Sequence, residues 1–411
     1  MENFSGYKRI FIIIAFLLAV LLTGYLIYTL FFKSAFPGVE PSPTANTTPS
    51  GELPVAQPGQ QATTTDKIAP TEEGLPSSET IASAKADGGL TETTELSKNS
   101  TLDPTLSNDG KNIQYYDISD GKFYRIDENG EATAMSDKVF HNVETVTWSP
   151  ADSKAILEYP DGSNIVYDFD TEKQITLPQH WKDFNFSPSG DKIVMKSMGT
   201  DPDNRWLAVA NNDGSKVTAI EPLGTEDDTV HTDWSPNNQM VAMYTKGVDF
   251  NRQEVYFIGL NDENFKSTII EGRGFQPEWS PKGDQLVYSV YSSDNDMKPQ
   301  LWIVDAQGDN IGNDRRRLNI ETWAEKCTFA GQSKMYCAVP DSLPEGAGLF
   351  PELAKSTKDN LYQIDINTGL KKLVAVPDGS YNMSNIIVSD SGDNLFFTDN
   401  NTQKLYKIKL K

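Results

Sequence analysis

Trp279-Ser280-Pro281-Lys282-Gly283-Asp284-Gln285-Leu286-Val287-Tyr288 is the stretch that decides the fold. An aromatic ends one apolar run, Ser-Pro and the next two residues turn the chain, and a second apolar run follows. Pro presets φ at the second turn position, Ser suits the first, and Gly283 fills the fourth. Working outward, the phrase returns as Trp148-Ser149-Pro150, Phe186-Ser187-Pro188 and Trp234-Ser235-Pro236, with weaker copies at Leu106-Ser107, Phe329-Ala330 and Val388-Ser389. A period of about 45 residues means a radial array of small sheets, not one layered core.

Each unit continues alike. A third strand rich in aromatic and β-branched residues follows, as in Leu301-Trp302-Ile303-Val304-Asp305, then a Gly- or Asn-containing turn and a polar–apolar outer strand such as Lys371-Lys372-Leu373-Val374. Four antiparallel strands per unit without helices make a propeller blade, so the expected class is all-β. Counting copies gives about seven four-stranded blades, with six or eight as the neighbouring counts. The phrases resemble the TolB-type, WD40-like (PD40) propeller repeat, aromatic-Ser-Pro-Asp-Gly followed by an apolar strand. The resemblance covers roughly residues 106–411. Only Gly190 and Gly283 read as keeping the turn glycine. The last unit stops one strand short after Leu405–Leu410. An open ring would leave unpaired edges, so a segment within Leu90–Thr101 is expected to supply the missing strand.

Before the propeller, residues 1–9 read as a short cytoplasmic N-terminus and Ile10–Phe32 as an uncharged apolar run. About 23 residues at 1.5 Å each span roughly 34 Å, enough for a bilayer core. Thr29-Leu30-Phe31-Phe32-Lys33 offers no small-residue cleavage site, so the run reads as an uncleaved signal anchor. Lys8 and Arg9 precede it and only Lys33 follows closely, which places the N-terminus inside and the remainder outside the cell membrane. Residues 33–103 are dense in Pro, Thr, Ser, Ala and Gly and read as a disordered tether, with a reach of roughly 45 Å. The propeller is assigned to 104–411.

The chain has 36 basic and 58 acidic side chains, a net of −22. Beyond residue 105 the balance is 30 against 47, a net of −17. Such a surface repels phosphate backbones, so nucleic acid is not an expected partner. No Gly-x-Ser-x-Gly elbow, glycine-rich phosphate loop or His-x-x-x-His spacing occurs, so no enzyme activity, cofactor or zinc site is expected. Asp201/Asp203 and Asp294/Asp296 are weak candidates for Ca²⁺, lacking the other ligands of a calcium loop.

Candidate binding residues sit where outer strands return to the next inner strand. Phe140, His141, His180, Trp181, His231, Phe275, Trp323 and Tyr381 would line an aromatic, His-bearing mouth suited to a peptide or sugar, or would wedge between blades. Loops between second and third strands open on the same face. The longest, about Pro340–Asn360, carries Phe350, and loops of that length are uncommon unless functional or disordered. Cys327 and Cys337, the only cysteines, flank the Phe329 turn with its midpoint between them, within reach of a disulfide. The same two positions hold Val146/Ile156 and Phe184/Val194 in other blades. The resulting expectation is a membrane-anchored binding or scaffold module for an envelope protein, peptide or glycan. An accessory subunit of a separate prolyl-oligopeptidase-like hydrolase and a structural envelope protein are the alternatives.

Overall fold

Six of the seven repeat turns are drawn to one pattern. A serine N–H donates to the carbonyl five residues on, from Ser107 to Asn112 (2.8 Å), Ser149 to Lys154 (2.9 Å), Ser187 to Lys192 (2.9 Å), Ser235 to Met240 (2.9 Å), Ser280 to Gln285 (2.9 Å) and Ser389 to Asn394 (3.0 Å). The serines are buried, and four hydroxyls also accept the N–H at the far side of the turn, those of Lys192, Met240, Gln285 and Asn394. The fourth turn residue has positive φ at Gly110, Gly190, Asn238, Gly283 and Gly392, which explains glycine there. Gly110 and Gly392 therefore also keep the turn glycine, so the first and last repeats depart less from the pattern than their missing proline suggests.

The computed structural model describes residues 16–23, 25 and 81–411. From 81 onward it is a seven-bladed propeller. The innermost strands run Thr101–Leu106, Thr145–Trp148, Trp181–Phe186, Val230–Thr232, Arg273–Trp279, Cys327–Phe329 and Met383–Val388, in blades one to seven. Each blade pairs its strands in simple antiparallel order outward. The cores lie between blades, not within them. Tyr116 and Phe123 of blade one pack with Val146, Ala155 and Tyr167 of blade two, and Met243 and Phe257 of blade four pack with Trp279 and Leu286 of blade five. Flat sheets stacked side by side bury both faces this way, and the ring closes because every blade has two neighbours.

Closure comes from upstream. Thr93–Glu95 pairs antiparallel with Leu405–Lys409 as the outer strand of blade seven. Leu90–Thr91 adds a parallel fifth strand to blade six against Val376 and Pro377. The ordered domain therefore begins well before residue 104. The Pro/Thr/Ser composition of 33–103 hides short strands that find their hydrogen bonds only on distant partners. Of the apolar run Ile10–Phe32, only 16–23 and 25 fall among the described residues, where they are helical; no described helix is long and apolar enough to cross a membrane.

Blade six departs from the turn pattern. Ala330 bonds to Lys334, four residues on, so its turn is one residue shorter. That shift places Cys327 directly opposite Cys337, and the two are joined in a disulfide with Cα atoms 4.1 Å apart. In blade two Val146 faces Leu157 and Thr147 faces Ile156, and in blade three Asn185 faces Val194. The equivalence drawn with Val146/Ile156 and Phe184/Val194 is thus corrected: longer turns, and a bulge after Lys182, put different residues opposite one another.

Candidate functional site

The second-to-third strand connections of blades four to six form a continuous rim, braced at its end by Asn382 of blade seven. In blade four the strands extend to Asp249 and restart at Arg252, so this connection is a raised hairpin. At its tip Asn251 Nδ2 donates to Ser293 Oγ (2.6 Å), and the Ser293 N–H donates back to Asn251 Oδ1 (3.1 Å). Blade five is joined to the blade-six insertion by Gly346 N–H to Asp296 O (2.8 Å) and Gly348 N–H to Met297 O (2.7 Å). A Cβ on Gly348 would lie 2.5 Å from Tyr291 Cβ, so glycine is required for that approach. Asn382 of blade seven donates to Ala354 O (2.7 Å) and Lys355 O (3.2 Å).

The insertion has its own small core. Leu343, Ala347 and Ala354 bury themselves around Trp323. Apolar side chains remain on the outside: Leu349 is 45 % exposed, Phe350 57 % and Leu353 48 %, with Val248 and Phe250 exposed on the blade-four hairpin. Desolvating such groups favours association.

Beneath the insertion runs a buried polar network. Lys326 Nζ lies 2.7 Å from Asp359 Oδ2 and 3.0 Å from Asn382 Oδ1. The Met383 N–H donates to the same Asp359 oxygen at 2.6 Å, and Asn400 Nδ2 donates to Asn382 Oδ1 at 3.0 Å. Burial pushes the Asp359 carboxyl up, opposed by the Lys326 charge and these hydrogen bonds. Above the network opens a cavity of about 600 Å³ whose lining includes Trp323, Glu325, Lys355, Asn400, Asn401 and Gln403. On the far side of Trp323 a cavity of about 250 Å³ is walled by His231, Phe275, Gln276, Ser289, Tyr291 and Gly348, among others. Ser289 Oγ donates to Gln276 Oε1 at 3.1 Å. Burial, and then Lys196, hold the His231 imidazole below its usual pKa, against Asp183.

Of the residues singled out from sequence, His231, Phe275 and Trp323 meet at this smaller cavity. The broad aromatic mouth does not form. Phe140, Trp181, Phe275 and Trp323 are buried. Phe140 is wedged between Phe123 (5.4 Å) and Tyr167 (4.8 Å) of adjacent blades, because a large ring after each crossover fills the gap between sheets. Tyr381 is half-buried against Tyr406 at 4.8 Å. His141 is exposed beside a separate cavity with Tyr159 and Asp161, and His180 is exposed next to Trp181. The three histidines do not converge. Asp201 Oδ1 accepts the Asp203 N–H as a helix cap (3.1 Å), Asp294 lies within a turn of 3-10 helix that Asp296 ends, and no cluster among the described residues gathers three metal-ligating side chains.

Sequence reading missed the amide cluster Asn382, Asn400 and Gln403, the Lys326–Asp359 pair, and a set of carboxylates on blades two, four and five. Burial, then Asp183, pushes Glu158 up to about 7. Burial pushes Asp233 up to about 7, and burial with Asp233 nearby pushes Glu278 up to about 8. None of these carries a spacing signature; each is an isolated polar letter in strand or loop.

No family model matches the chain, and no curated protein matches it. Solved structures do. The Swd1 β-propeller domain of Myceliophteria thermophila superposes with a TM-score of 0.50 at 10 % identity, over 78 % of this chain and 100 % of that one. An oligogalacturonate lyase in complex with manganese gives 0.47 at 14 % identity, over 78 % and 90 %. The tricorn protease gives 0.48 at 13 % identity, over 76 % of this chain and 34 % of that one. At 10 % identity the likeness to the Swd1 domain concerns the fold alone, a β-propeller.

Proposed function

We propose that this is a membrane-anchored, extracytoplasmic propeller that captures a partner protein on the loop rim of blades four to six. The observation that carries the reading is the exposure of Leu349, Phe350 and Leu353 on an insertion pinned to both neighbouring blades. Apolar side chains held on a rigid support lose little freedom on binding, which is how a small contact set yields affinity. The Ile10–Phe32 run supports anchorage, and the basic bias before it supports an outward-facing propeller. The sequence lacks a Gly-x-Ser-x-Gly elbow and a His-x-x-x-His spacing, which supports a binding reading.

Crosslinking and affinity capture from envelope fractions test it, comparing the native chain with Phe350→Asp/Leu353→Asp. Loss of a specific captured protein at an unchanged thermal midpoint is expected. Identical capture by both would overturn the reading.

A further inference from the structure

The larger cavity has walls that do not belong to the apolar rim, and its free hydrogen-bonding groups define what it can hold. Asn382 is spent: its two N–H groups go to Ala354 O and Lys355 O, and its carbonyl receives Lys326 Nζ and Asn400 Nδ2. Lys326 is neutralised by Asp359. The groups around them are only partly used. Asn400 gives one N–H to Asn382 and receives Ser384 Oγ, leaving one N–H and one lone pair. Gln403 gives one N–H to Asn400 O at 2.9 Å, leaving Oε1 and its second N–H. Asn401 touches Asp399 only at 3.4 Å, leaving its carbonyl free. Glu325, Glu352 and Lys355 complete the polar lining, each without an ion-pair partner among the described residues. Burial pushes the Glu325 carboxyl up, opposed by Lys326.

This mixture disfavours most ligand classes. A phosphate or carboxylate would face two free carboxylates against one free ammonium. A cation would be drawn to Glu325 and Glu352 but would also meet Lys355 and the amide N–H groups of Asn400 and Gln403. An apolar ligand would take water from six exposed polar side chains and return no hydrogen bond. An extended peptide wants a free strand edge, and the donors and acceptors here come from loop tips. Hydroxyl groups both donate and accept, so a polyol satisfies mixed neighbours from either side. Pro351, exposed beside the mostly buried Trp323 and Ala354, adds apolar surface for the C–H face of a sugar ring. The volume, about 600 Å³, lies within the range of small-molecule sites.

We infer that the cavity between blades six and seven, lined by Trp323, Glu325, Glu352, Lys355, Asn401 and Gln403, binds a neutral saccharide. The buried Lys326–Asp359–Asn382 network holds its walls in place before the ligand arrives. The inference goes beyond partner capture on the rim, and either can fail alone.

Saturation-transfer NMR on the full chain in a non-glycosidic detergent tests it. The probes are glucose, galactose, mannose, N-acetylglucosamine and their β-1,4 disaccharides, with glucose 6-phosphate and a lysine-containing tripeptide as comparators. At least one neutral saccharide is expected to bind with Kd of about 1 mM or tighter, and to bind better than either comparator. Asn401→Ala/Gln403→Ala should weaken it about tenfold. Should that pair shift the thermal midpoint, Glu352→Ala/Lys355→Ala, both on exposed side chains, replaces it. Phe350→Asp/Leu353→Asp should leave saccharide binding unchanged while abolishing protein capture. Absence of any saccharide signal, tighter binding of the phosphosugar or the tripeptide, or binding indifferent to both cavity variants would overturn the inference.

Discussion

Lys326 and Asp359 form an ion pair at 2.7 Å in which the lysine side chain is 5 % exposed and the aspartate 0 %. Two charges taken so far out of water cost several kcal/mol each, and the pairing offsets that cost only while both are present. Lys326→Met should therefore lower stability by about 3–5 kcal/mol by stranding Asp359. Adding Asp359→Leu should restore most of the loss. Denaturant midpoints of the two single variants and the double variant measure this, and a double variant as weak as the single ones would show that the pair itself supplies net stability.

Three half-buried carboxyls predict an acid-favoured stability profile. Glu158, Asp233 and Glu278 have folded-state pKa values of about 7, 7 and 8, above their ordinary values. A group that holds its proton more tightly when folded makes stability fall as pH rises from its unfolded to its folded pKa. The thermal midpoint should thus drop between about pH 5 and pH 8. Below that window the opposite set takes over: against the cost of burial, hydrogen bonds from Ser107, Asn112 and Lys111 hold Asp109 at about 2, and protonating such groups is destabilising. Glu278→Gln should flatten the upper slope and raise the midpoint at the alkaline end. A midpoint that climbs across the window would contradict these assignments.

Cys327 and Cys337 are ten residues apart in sequence, and both are buried. A crosslink closing so short a loop contributes about 3 kcal/mol, chiefly through the unfolded chain. Cys327→Ala/Cys337→Ala should lower the denaturant midpoint accordingly while far-UV circular dichroism stays that of a β-protein. An unchanged midpoint would mean that the shortened turn alone fixes the register of blade six.

Removing the closing strand should cost more than its length suggests. Thr93–Glu95 covers the edge of Leu405–Lys409, and Leu96 beside it is buried with Ile113, Phe396 and Leu405. A chain lacking residues 81–97 exposes two strand edges and a patch of core. A lower thermal midpoint and concentration-dependent association are expected, measured by light scattering on heating; a monomer with the native midpoint would refute the role of this strand.

The repeat phrase was legible because its causes are local. A buried serine, a proline and a left-handed glycine specify a turn within six residues. The closing strand was legible as a need: blade seven lacked an outer strand and Leu90–Thr101 was available. What pairs with what was less legible. Cys327 faces Cys337 because one residue is missing after Phe329, and the same arithmetic fails at Val146/Ile156, where the turn is longer. The aromatics that read as a mouth are blade wedges, since a ring following a crossover meets the next sheet before it meets solvent. The amide cavity could not be read at all. Asn382, Asn400 and Gln403 are ordinary loop letters until blade six lays Lys326 and the insertion against them.

The seam of the ring also sets a schedule for folding. Glu95 and Lys404, an ion pair at 3.0 Å, lie 309 residues apart in sequence. The strand carrying Glu95 emerges early in synthesis and waits for a partner made long after it. Blades one to six can collapse in turn on neighbours already present, but the circle locks only when two distant stretches meet, and contacts so far apart in the chain form slowly. Until then both edges stand open. The time between first and last strand is the interval in which this protein is most exposed to mispairing with another copy of itself.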